Sequence, residues 1–416
     1  MIDKLRCLCY NFFGYKIVKE KEMNFQKLKD TLDELVRVEH TPGVDCIVYK
    51  EHEQIFRYFT GYRDVENKIK TDGNELYLIF SMTKLITCIA ALQLLEQGKY
   101  SLSDNISKFL PEFDKMKITK DALKDKSDQI ATGASAGEAI ESVNDGYAEN
   151  KITVEHLLTM TAGLDYNLQA EYIKKAVDGG KTSTREIVGA ISETVLGFEP
   201  GSRFRYSLCH DVLGALIEVW SGMKLGEYMK KHIFEPLNMN DTFFGVPKDE
   251  TRLSRMAVRY KFNRDGIPER LPFSNEFLLS SEYESGGAGL VSSTEDYAVL
   301  ADAIANGGKA KNGVRILKEE TVKLMASNHL TGQAYDDFER PRKGYGYGFG
   351  VRVLLNPEIS ESNAPAGEFG WDGAAGGIFM IDPVNKISLT YFQEAQSWKR
   401  KIQFMLTNAL YESLKD

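Results

Sequence analysis

The sequence has few of the residues that bind metals or form disulfides. Its 416 residues include six histidines, which are scattered along the chain, and five cysteines. Neither an H-E-x-x-H nor a C-x-x-C spacing occurs, so the sequence predicts no metal site and no cofactor. The cysteines form no paired framework, which is typical of reduced thiols and favours a cytoplasmic location, with export by an unusual route left open. They are Cys7, Cys9, Cys46, Cys88 and Cys209.

Long apolar runs and an excess of basic residues are also absent. No stretch approaches the roughly 18 apolar residues of a membrane-spanning helix, so no stable span is predicted. Residues 1–22 lack an unbroken apolar core and a small-residue cleavage site, which argues against a secretory signal. We interpret residues 1–23 as an N-terminal extension. With 52 basic and 60 acidic residues the formal net charge is -8, which argues against nucleic acid as a partner.

Helical and strand-like periodicities are segregated along the chain, with strands near both ends and helices between them. This order predicts an α+β fold with one sheet built from N- and C-terminal strands plus a helical subdomain, and not alternating βαβ units. We expect residues 24–416 to form a single catalytic domain in which the polar stretch 115–151 is an inserted loop. The predicted strands are 43–50, 54–62, 345–354, 377–382 and 386–392, and the predicted helices are 24–38, 152–160, 183–194, 210–220, 225–233, 294–306 and 399–414.

The tetrapeptide Ser81-Met-Thr-Lys84 stands at the head of an apolar-periodic segment that ends at Gly98. Three residues apart on a helix, its hydroxyl and its amine would lie on one face, about 60° apart around the axis. A helix N-terminus favours developing negative charge on the serine oxygen, and a buried lysine can lose its proton and act as a base. We expect Lys84 to lack a carboxylate partner, because a salt bridge would keep it charged. This pattern indicates a serine hydrolase.

Two other motifs compete with Ser81. Ser221-Gly-Met-Lys224 repeats the S-x-x-K spacing, but it follows a helical run and contains Gly222, so we interpret it as a helix C-terminus. Gly133-Ala-Ser135-Ala-Gly137 matches the G-x-S-x-G elbow of α/β-hydrolases, which needs a strand before it and a helix after it. No strand pattern precedes this motif, and a flexible loop of small residues explains it better.

An ordered set of motifs accompanies Ser81-Met-Thr-Lys84, and together they resemble the serine β-lactamase and penicillin-binding-protein superfamily, in particular the esterase members of its class C β-lactamase-like branch. The resemblance runs from about Val44 to the last helix. It implies a β-lactamase/transpeptidase-like fold, in which helices flank an antiparallel sheet. The accompanying motifs are Thr153-Val-Glu-His-Leu-Leu-Thr-Met-Thr-Ala-Gly-Leu164, Tyr206-Ser-Leu208, Gly286-Gly-Ala-Gly-Leu-Val-Ser-Ser293 and Trp371-Asp-Gly373.

The resemblance also implies roles for individual residues. Tyr206 matches the tyrosine of the family's Y-x-N element, and would relay the Ser81 proton to the leaving group together with Lys84. The backbone amides of Ser81 and Ala374 would form the oxyanion hole. Gly373, in the place of the family's K-T-G strand, would let a substrate lie against the backbone. The expected chemistry is therefore acyl transfer through an acyl-enzyme.

Two positions depart from the β-lactamase pattern. Trp371 replaces the lysine of K-T-G, which in the family attracts the drug's carboxylate, and Leu208 replaces the asparagine of Y-x-N, which reads a substrate amide. Both changes put apolar surface where the substrate would bind, which favours an acyl or alkyl group. We therefore expect a carboxylesterase on small esters, with a β-lactamase or a D-stereospecific peptidase as alternatives. A non-catalytic ligand-binding or sensor module of the same fold is the alternative from another class.

Other notable residues have more ordinary interpretations. His156 lies within the scaffold motif and is expected to be structural. His210 follows Tyr206 by one helical turn, where it could tune the tyrosine, although an exposed polar contact is favoured. Tyr345, Tyr347 and Phe349 alternate with glycines, and predict a strand that either lines an acyl pocket or packs in the core. The natural substrate and the oligomeric state are left open.

Overall fold

The computed structural model describes residues 23–119, 146–396 and 400–415. Its strands belong to one large sheet and several small ones. In chain order they are Gly43–Lys50 (β1), Glu53–Asp64 (β2), Ile69–Lys70 (β3), Tyr77–Leu78 (β4), Lys117–Ile118 (β5), Val195–Leu196 (β6), Phe243–Phe244 (β7), Tyr260–Phe262 (β8), Pro268–Arg270 (β9), Leu290–Ser292 (β10), Tyr345–Tyr347 (β11), Arg352–Leu354 (β12), Phe369–Asp372 (β13), Ile378–Asp382 (β14), Ile387–Phe392 (β15) and Ala395–Gln396 (β16).

The described helices lie mostly between the two groups of long strands. In chain order they are Gln26–Arg37 (α1), Thr83–Glu96 (α2), Val154–Leu158 (α3), Glu171–Asp178 (α4), Thr184–Ile191 (α5), Cys209–Ser221 (α6), Leu225–Met229 (α7), Glu235–Leu237 (α8), Glu250–Arg255 (α9), Thr294–Ala305 (α10), Glu319–Met325 (α11), Gly332–Glu339 (α12), Pro357–Ser360 (α13) and Arg400–Lys415 (α14).

The large sheet joins the two ends of the chain. Its eight strands run in the order β11-β12-β13-β14-β15-β1-β2-β3, and β1 pairs antiparallel with both β15 and β2. Every residue of β14 and β15 is buried, because α10 packs against these strands and β1. Helix α1 packs on β1 and β2 and against α14. Strands covered in this way are rich in apolar residues along their whole length, which is why they were recognisable in the sequence.

Helix α2 crosses the interior between the sheet and the helical part of the molecule. Every residue from Thr83 to Leu92 is buried, and α2 packs on α6 and α7. A helix that is apolar on all sides is stable only inside a protein. The small sheet β4-β10-β7 lies at its N-terminal end, and pairs the strand before Ser81 with the strand after Gly287. Two distant parts of the chain therefore meet at the start of α2.

The predicted α+β architecture, with one antiparallel sheet from both ends of the chain and helices between, is confirmed. The predicted strand 345–354 is wrong as a single element, because it is a hairpin of β11 and β12. Its turn includes Gly350 at φ 74°, a conformation that glycine adopts readily. The helix predicted over 225–233 is shorter, since a π-helical turn at Lys230–Phe234 follows α7.

The remaining sequence expectations have mixed outcomes. The first end of the predicted insert 115–151 forms β5, which pairs with β6, and a β-bridge joins Lys117 to Tyr147 at the other end. Residues 120–145 lie outside the described residues. Ser135 and the extension 1–22 also fall outside them, and the division into domains stays a prediction. Ser221 ends α6 and Gly222 caps it at φ 70°, as predicted. Within the described ranges, no helix is both long and apolar enough to cross a membrane.

Candidate active site

Ser81 lies on a 3₁₀ turn, Phe80–Met82, immediately before α2. Its side chain is partly exposed, whereas Phe80 and Met82 on either side are buried. Phe80 has φ 43°, in the left-handed region that costs a bulky residue about 1 to 3 kcal/mol. The buried phenyl ring anchors this conformation, so the surrounding fold supplies the energy that the turn requires. Ser81 is thereby presented at the positive end of the α2 dipole, which favours negative charge on its oxygen.

Lys84 lies one turn further along, in the first turn of α2, and is completely buried. Its Nζ is 3.3 Å from Ser81 Oγ, donates to the Gly287 carbonyl oxygen at 2.7 Å, and lies 3.4 Å from Tyr166 Oη. The predicted juxtaposition of Ser81 and Lys84 is therefore present. The short bond to Gly287 fixes the ammonium group at a defined position beside the serine.

Tyr206 completes an aromatic group around this lysine. Its ring centroid is 4.7 Å from Lys84 Nζ, and the ring stacks on Tyr166 with centroids 5.6 Å apart and planes 3° apart. The ring also stacks on Trp371, whose indole Nε1 donates to Tyr206 Oη at 3.2 Å. An indole N–H can only donate, so the Tyr206 oxygen is the acceptor in this bond. The tyrosine oxygen thus receives one donor from Trp371 while a cation lies against its ring.

The charge of Lys84 differs from the sequence expectation. We expected burial to turn this lysine into a base; burial does lower its pKa, but Tyr166, Tyr206 and Asp211 outweigh that effect, and the pKa of Lys84 is raised. Lys84 is therefore an ammonium in the free protein. Within the described chain no salt bridge involves Lys84, and the Asp211 carboxylate raises its pKa through its charge without a direct ion pair. The expectation that Lys84 lacks a carboxylate partner stays a prediction.

The turn after β13, which carries Ala374, approaches the backbone just before Ser81. The Gly373 amide donates to the Gly377 carbonyl at 2.8 Å, and the Gly376 amide donates to Gly373 at 2.8 Å, which forms a tight turn. A Cβ atom on Gly373 would lie 2.6 Å from the Ile79 carbonyl oxygen. Glycine is therefore required here because β13 approaches the backbone just before Ser81, a different reason from the substrate contact that we expected. Among the described residues, neither the Ser81 amide nor the Ala374 amide donates a hydrogen bond to the protein.

Two of the predicted substrate residues are deeply placed. Leu208 is fully buried in the core, where its backbone amide donates to the Asp165 carbonyl at 3.0 Å just before α6. Trp371 is 3% exposed and contacts Tyr206 with both its ring and its N–H. The sequence suggested that both side chains provide apolar surface for a substrate. In the structure they support Tyr206 and the helix that follows it.

The other aromatic and histidine residues also have defined positions. His156 caps α3 through a bond from the Thr153 amide to its Nδ1, as expected for a structural role. The expectation that His210 is an exposed polar contact is wrong: it is fully buried, and its Nε2 lies 3.6 Å from Cys88 Sγ. The tyrosine and phenylalanine side chains of the glycine-rich hairpin are buried, and Tyr347 packs edge-on against Trp371 at 5.3 Å.

Three groups at this site were not recognised from the sequence: the Tyr166 phenol, the Gly287 carbonyl and the Asp211 carboxylate. Tyr166 lies two residues beyond the motif that ends at Leu164, and Gly287 lies inside a motif whose backbone role is not readable from residue types. Asp211 follows Tyr206 by five residues on α6. A charged residue in the first turn of a mostly apolar helix was the available signal for Asp211. The described residues contain no cluster of three or more His, Cys, Asp or Glu side chains suited to a metal ion.

Comparison with known proteins places the chain among β-lactamase-like sequences. Residues 28–409 match the family model described as Beta-lactamase. Esterase EstB of Burkholderia gladioli is 27% identical over 413 residues, which cover 93% of this chain and 91% of EstB. Acyltransferase mokF of Monascus pilosus is 30% identical over 333 residues, which cover 77% of this chain and 75% of mokF.

A solved structure shares the fold. EstCE1, described as a hydrolase with promiscuous acyltransferase activity, superposes with a TM-score of 0.74 at 24% sequence identity. The match covers 93% of this chain and 98% of EstCE1. It supports the architecture described above.

Proposed function

Because the chain belongs to the β-lactamase family, as its motifs predicted, we propose that it is a serine hydrolase that acts through an acyl-enzyme and prefers small carboxylic esters. The observation that carries the proposal is the cluster at the start of α2: Lys84 Nζ lies 3.3 Å from Ser81 Oγ and 4.7 Å from the centre of the Tyr206 ring. The similarity to esterase EstB supports the same class of reaction.

In the proposed mechanism, Ser81 Oγ attacks the ester carbonyl carbon while its proton moves to the Tyr206 oxygen. Lys84 remains an ammonium and stabilises the negative charge on Tyr206 before this transfer, and the Trp371 N–H stabilises the same oxygen. The amides of Ser81 and Ala374 hold the carbonyl oxygen as it becomes an oxyanion. Tyr206 then gives the proton to the departing alcohol oxygen. Water attacks the acyl-enzyme by the same proton route and releases the acid.

The preference for esters follows from what surrounds this cluster. A β-lactam or a C-terminal peptide carries a carboxylate, which needs a cation or several donors to replace its water. At the position of the family's lysine, Trp371 has a single N–H, and that group is bound to Tyr206. Leu208 offers no polar group and is buried. A neutral ester does not require these contacts, which is why we place the β-lactamase and D-stereospecific peptidase alternatives second.

The test compares hydrolysis of p-nitrophenyl acetate and p-nitrophenyl butyrate with hydrolysis of nitrocefin. We expect wild-type turnover of the esters with little nitrocefin cleavage, and at least a ~10³-fold loss of ester kcat/KM in Ser81→Ala. Ser221→Ala is the matched control, because it removes the serine of the second S-x-x-K motif and should keep wild-type rates. Dominant nitrocefin cleavage would support the β-lactamase alternative, and activity that survives in Ser81→Ala but not in Ser135→Ala would overturn the assignment of the nucleophile.

A fluorophosphonate probe separates an enzyme from a binding module of the same fold. The probe should label wild type on Ser81, as shown by peptide mass spectrometry, and should leave Ser81→Ala unlabelled. A sensor or ligand-binding module would remain unlabelled in both forms, and its ligand affinity would be unchanged by the substitution.

A further inference from the structure

A buried carboxylate lies behind Lys84 and has no part in the mechanism above. Asp211, in the first turn of α6, is 1% exposed. A carboxylate removed from water needs hydrogen bonds and an opposite charge. Its Oδ1 accepts from Tyr283 Oη at 2.8 Å and from Ser285 Oγ at 2.6 Å. Burial raises the pKa of Asp211, and its hydrogen bonds together with the nearby Lys84 charge oppose this rise and favour the carboxylate.

The counter-charge lies across Gly287. A Cβ atom built on this glycine would be 2.5 Å from Asp211 Oδ2 and 3.4 Å from Lys84 Nζ, so these two atoms are at most the sum of those distances apart, about 6 Å. A side chain at position 287 would occupy the space between the two charges. The Gly287 carbonyl meanwhile accepts from Lys84 Nζ at 2.7 Å. Carboxylate, glycine and ammonium therefore form one contiguous arrangement.

The same carboxylate also anchors the segment that carries Gly287. Ser285 donates to Asp211 and accepts from the Ala288 amide at 3.0 Å, so the turn from 285 to 288 is fixed to α6 on both sides of Gly287. Tyr283 adds a second attachment just before this turn. If Asp211 were lost, the carbonyl that holds Lys84 would lose its support.

Apart from Tyr206, which the proposed mechanism takes to be ionised, the remaining titratable groups around Lys84 do not supply a negative charge. Tyr166 and Tyr206 pack against it from two sides, and burial raises the pKa of Tyr166. His210, from α6, is buried, and burial together with the nearby Lys84 charge lowers its pKa, so it is neutral. Burial raises the pKa of the neighbouring thiols, which are Cys88 on α2 and Cys209 on α6, and that of the Tyr283 phenol.

We propose that Asp211 is a positioning residue of this active site: through Ser285 and Gly287 it fixes the Lys84 ammonium beside Ser81. Its negative charge also keeps a proton on Lys84 and off Tyr206, which leaves Tyr206 free to accept the proton of Ser81. This inference rests on the proposed function. No covalent step is added, because the one proton that moves passes from Ser81 Oγ to the Tyr206 oxygen while Lys84 keeps its own.

The experiment measures the rate of fluorophosphonate labelling of Ser81 as a function of pH, since labelling reports activation of the serine without a choice of natural substrate. Asp211→Asn keeps an oxygen acceptor for Tyr283 and Ser285 but removes the charge. In the plot of labelling rate against pH, we expect the high-pH limb of this variant, where Lys84 loses its proton, to move to lower pH by about one unit or more. We also expect its maximal labelling rate to fall at least ~10-fold.

Two further variants separate the effect of the Asp211 charge from the effect of the hydrogen bonds that Asp211 accepts. Tyr283→Phe removes one hydrogen bond to Asp211 and keeps the charge, so its high-pH limb should match wild type within ~0.3 units whatever the change in its maximal rate. Asp211→Glu restores the charge and should return the limb toward the wild-type position. Circular dichroism verifies that each variant is folded; if Asp211→Asn does not fold, Asp211→Ser, which also removes the charge, is compared with Asp211→Glu in its place.

The outcomes are distinguishable from those of the proposed function. If wild type is labelled and the limbs of Asp211→Asn and wild type coincide, Asp211 does not act on Lys84 and this inference is overturned. Asp211→Glu and Tyr283→Phe both keep the negative charge. If the high-pH limb of either variant moves away from that of wild type, the charge of Asp211 does not set the limb, and the inference is likewise overturned. If wild type itself is not labelled, the proposed function fails first, and the role of Asp211 fails with it.

Discussion

At the scale of single residues, Trp371 shows how a substitution can change the task of a position. The resemblance to β-lactamases suggested that an indole in place of lysine provides apolar surface for the substrate. In the structure the indole N–H donates to Tyr206 Oη at 3.2 Å and the ring lies against the tyrosine. The position therefore contributes to the orientation of the candidate base, and Tyr347 and Phe338 pack against the indole to hold it in place.

Removal of this single N–H gives a sharp prediction. Trp371→Phe retains an aromatic ring against Tyr206 but leaves its oxygen without the indole donor. A hydrogen bond to a charged oxygen is worth about 1.5 to 3 kcal/mol, so loss of this donor disfavours the charged form of Tyr206 that accepts the proton, and ester kcat/KM should fall about 10- to 100-fold. Trp220→Phe is the matched control, because Trp220 stacks on Tyr100 in another part of the core. Equal rates for Trp371→Phe and wild type would mean that the bond has no catalytic consequence.

The sequence predicted Ser81 and Lys84 as site residues from residue type and spacing, and Tyr206 through the family resemblance. It could not identify the charge of Lys84, since a pattern shows that a helix is buried but not what surrounds it. Tyr166 and Asp211 approach the lysine only through the fold, from the loop after α3 and from α6. His210 was expected at the surface for the same reason: one polar residue on a periodic helix predicts an exposed face, and here α6 is buried nearly throughout its first two turns.

At the scale of secondary-structure elements, the site depends on the contact between the end of β13 and the 3₁₀ turn at Phe80–Met82. The strands were predictable because each is a short apolar run bounded by turn residues, and 43–50 matches β1 residue for residue. The hairpin at 345–354 was not separated into two strands, since its glycines alternate with aromatic residues in a period that a continuous strand would also show. No pattern in the sequence indicates that β13 ends against Ile79.

Gly373 tests this contact between elements. Gly373→Ala would place a Cβ atom 2.6 Å from the Ile79 carbonyl oxygen, so the turn that carries Ala374 must move away from Ser81. We expect kcat for ester hydrolysis to fall at least ~10-fold, because a displaced oxyanion donor loses much of its effect, and the displaced backbone should lower stability by about 1 to 3 kcal/mol. Gly189→Ala on α5 is the control, since its Cβ would meet only the ends of the Glu112 and Arg185 side chains. An unchanged kcat in Gly373→Ala would argue against Ala374 as an oxyanion donor.

At the scale of the whole molecule, the central sheet is unusual in burying carboxylates. Asp45 on β1 pairs with Arg57 at 2.9 Å, and Glu368, just before β13, pairs with Arg352 at 3.2 Å. Burial raises the pKa of both carboxyls to about 7, even though the arginines oppose the shift. The order of strand-like and helical segments along the chain predicted the sheet but not these ion pairs. Each pair joins two residues that meet only because of how the strands are aligned. Register is a property of the assembled sheet.

The third such carboxyl, Glu394, makes the consequence measurable. It follows β15, accepts from the Leu78 amide at 3.0 Å and lies 3.8 Å from Arg259, and burial raises its pKa to about 8. In the unfolded chain a glutamate titrates near 4.3. The folded state therefore holds a proton that the unfolded state has lost, and stability that is complete below pH ~4 declines as pH rises through 8.

Glu394→Gln should remove this part of the pH dependence, because glutamine keeps an acceptor for Leu78 and does not titrate. Urea unfolding of wild type between pH 6.5 and 8 should show a falling free energy of unfolding, to which Glu394 contributes roughly 1 to 2 kcal/mol. The unfolded histidines are half neutral at about pH 6.5 and lose their remaining protons across this window, so the buried His210 adds a small slope of opposite sign that wild type and Glu394→Gln share. Glu320→Gln, on the exposed start of α11, should keep the wild-type slope. Parallel slopes for Glu394→Gln and wild type would show that Glu394 is ionised in the folded protein, and that the Arg259 guanidinium compensates its burial fully.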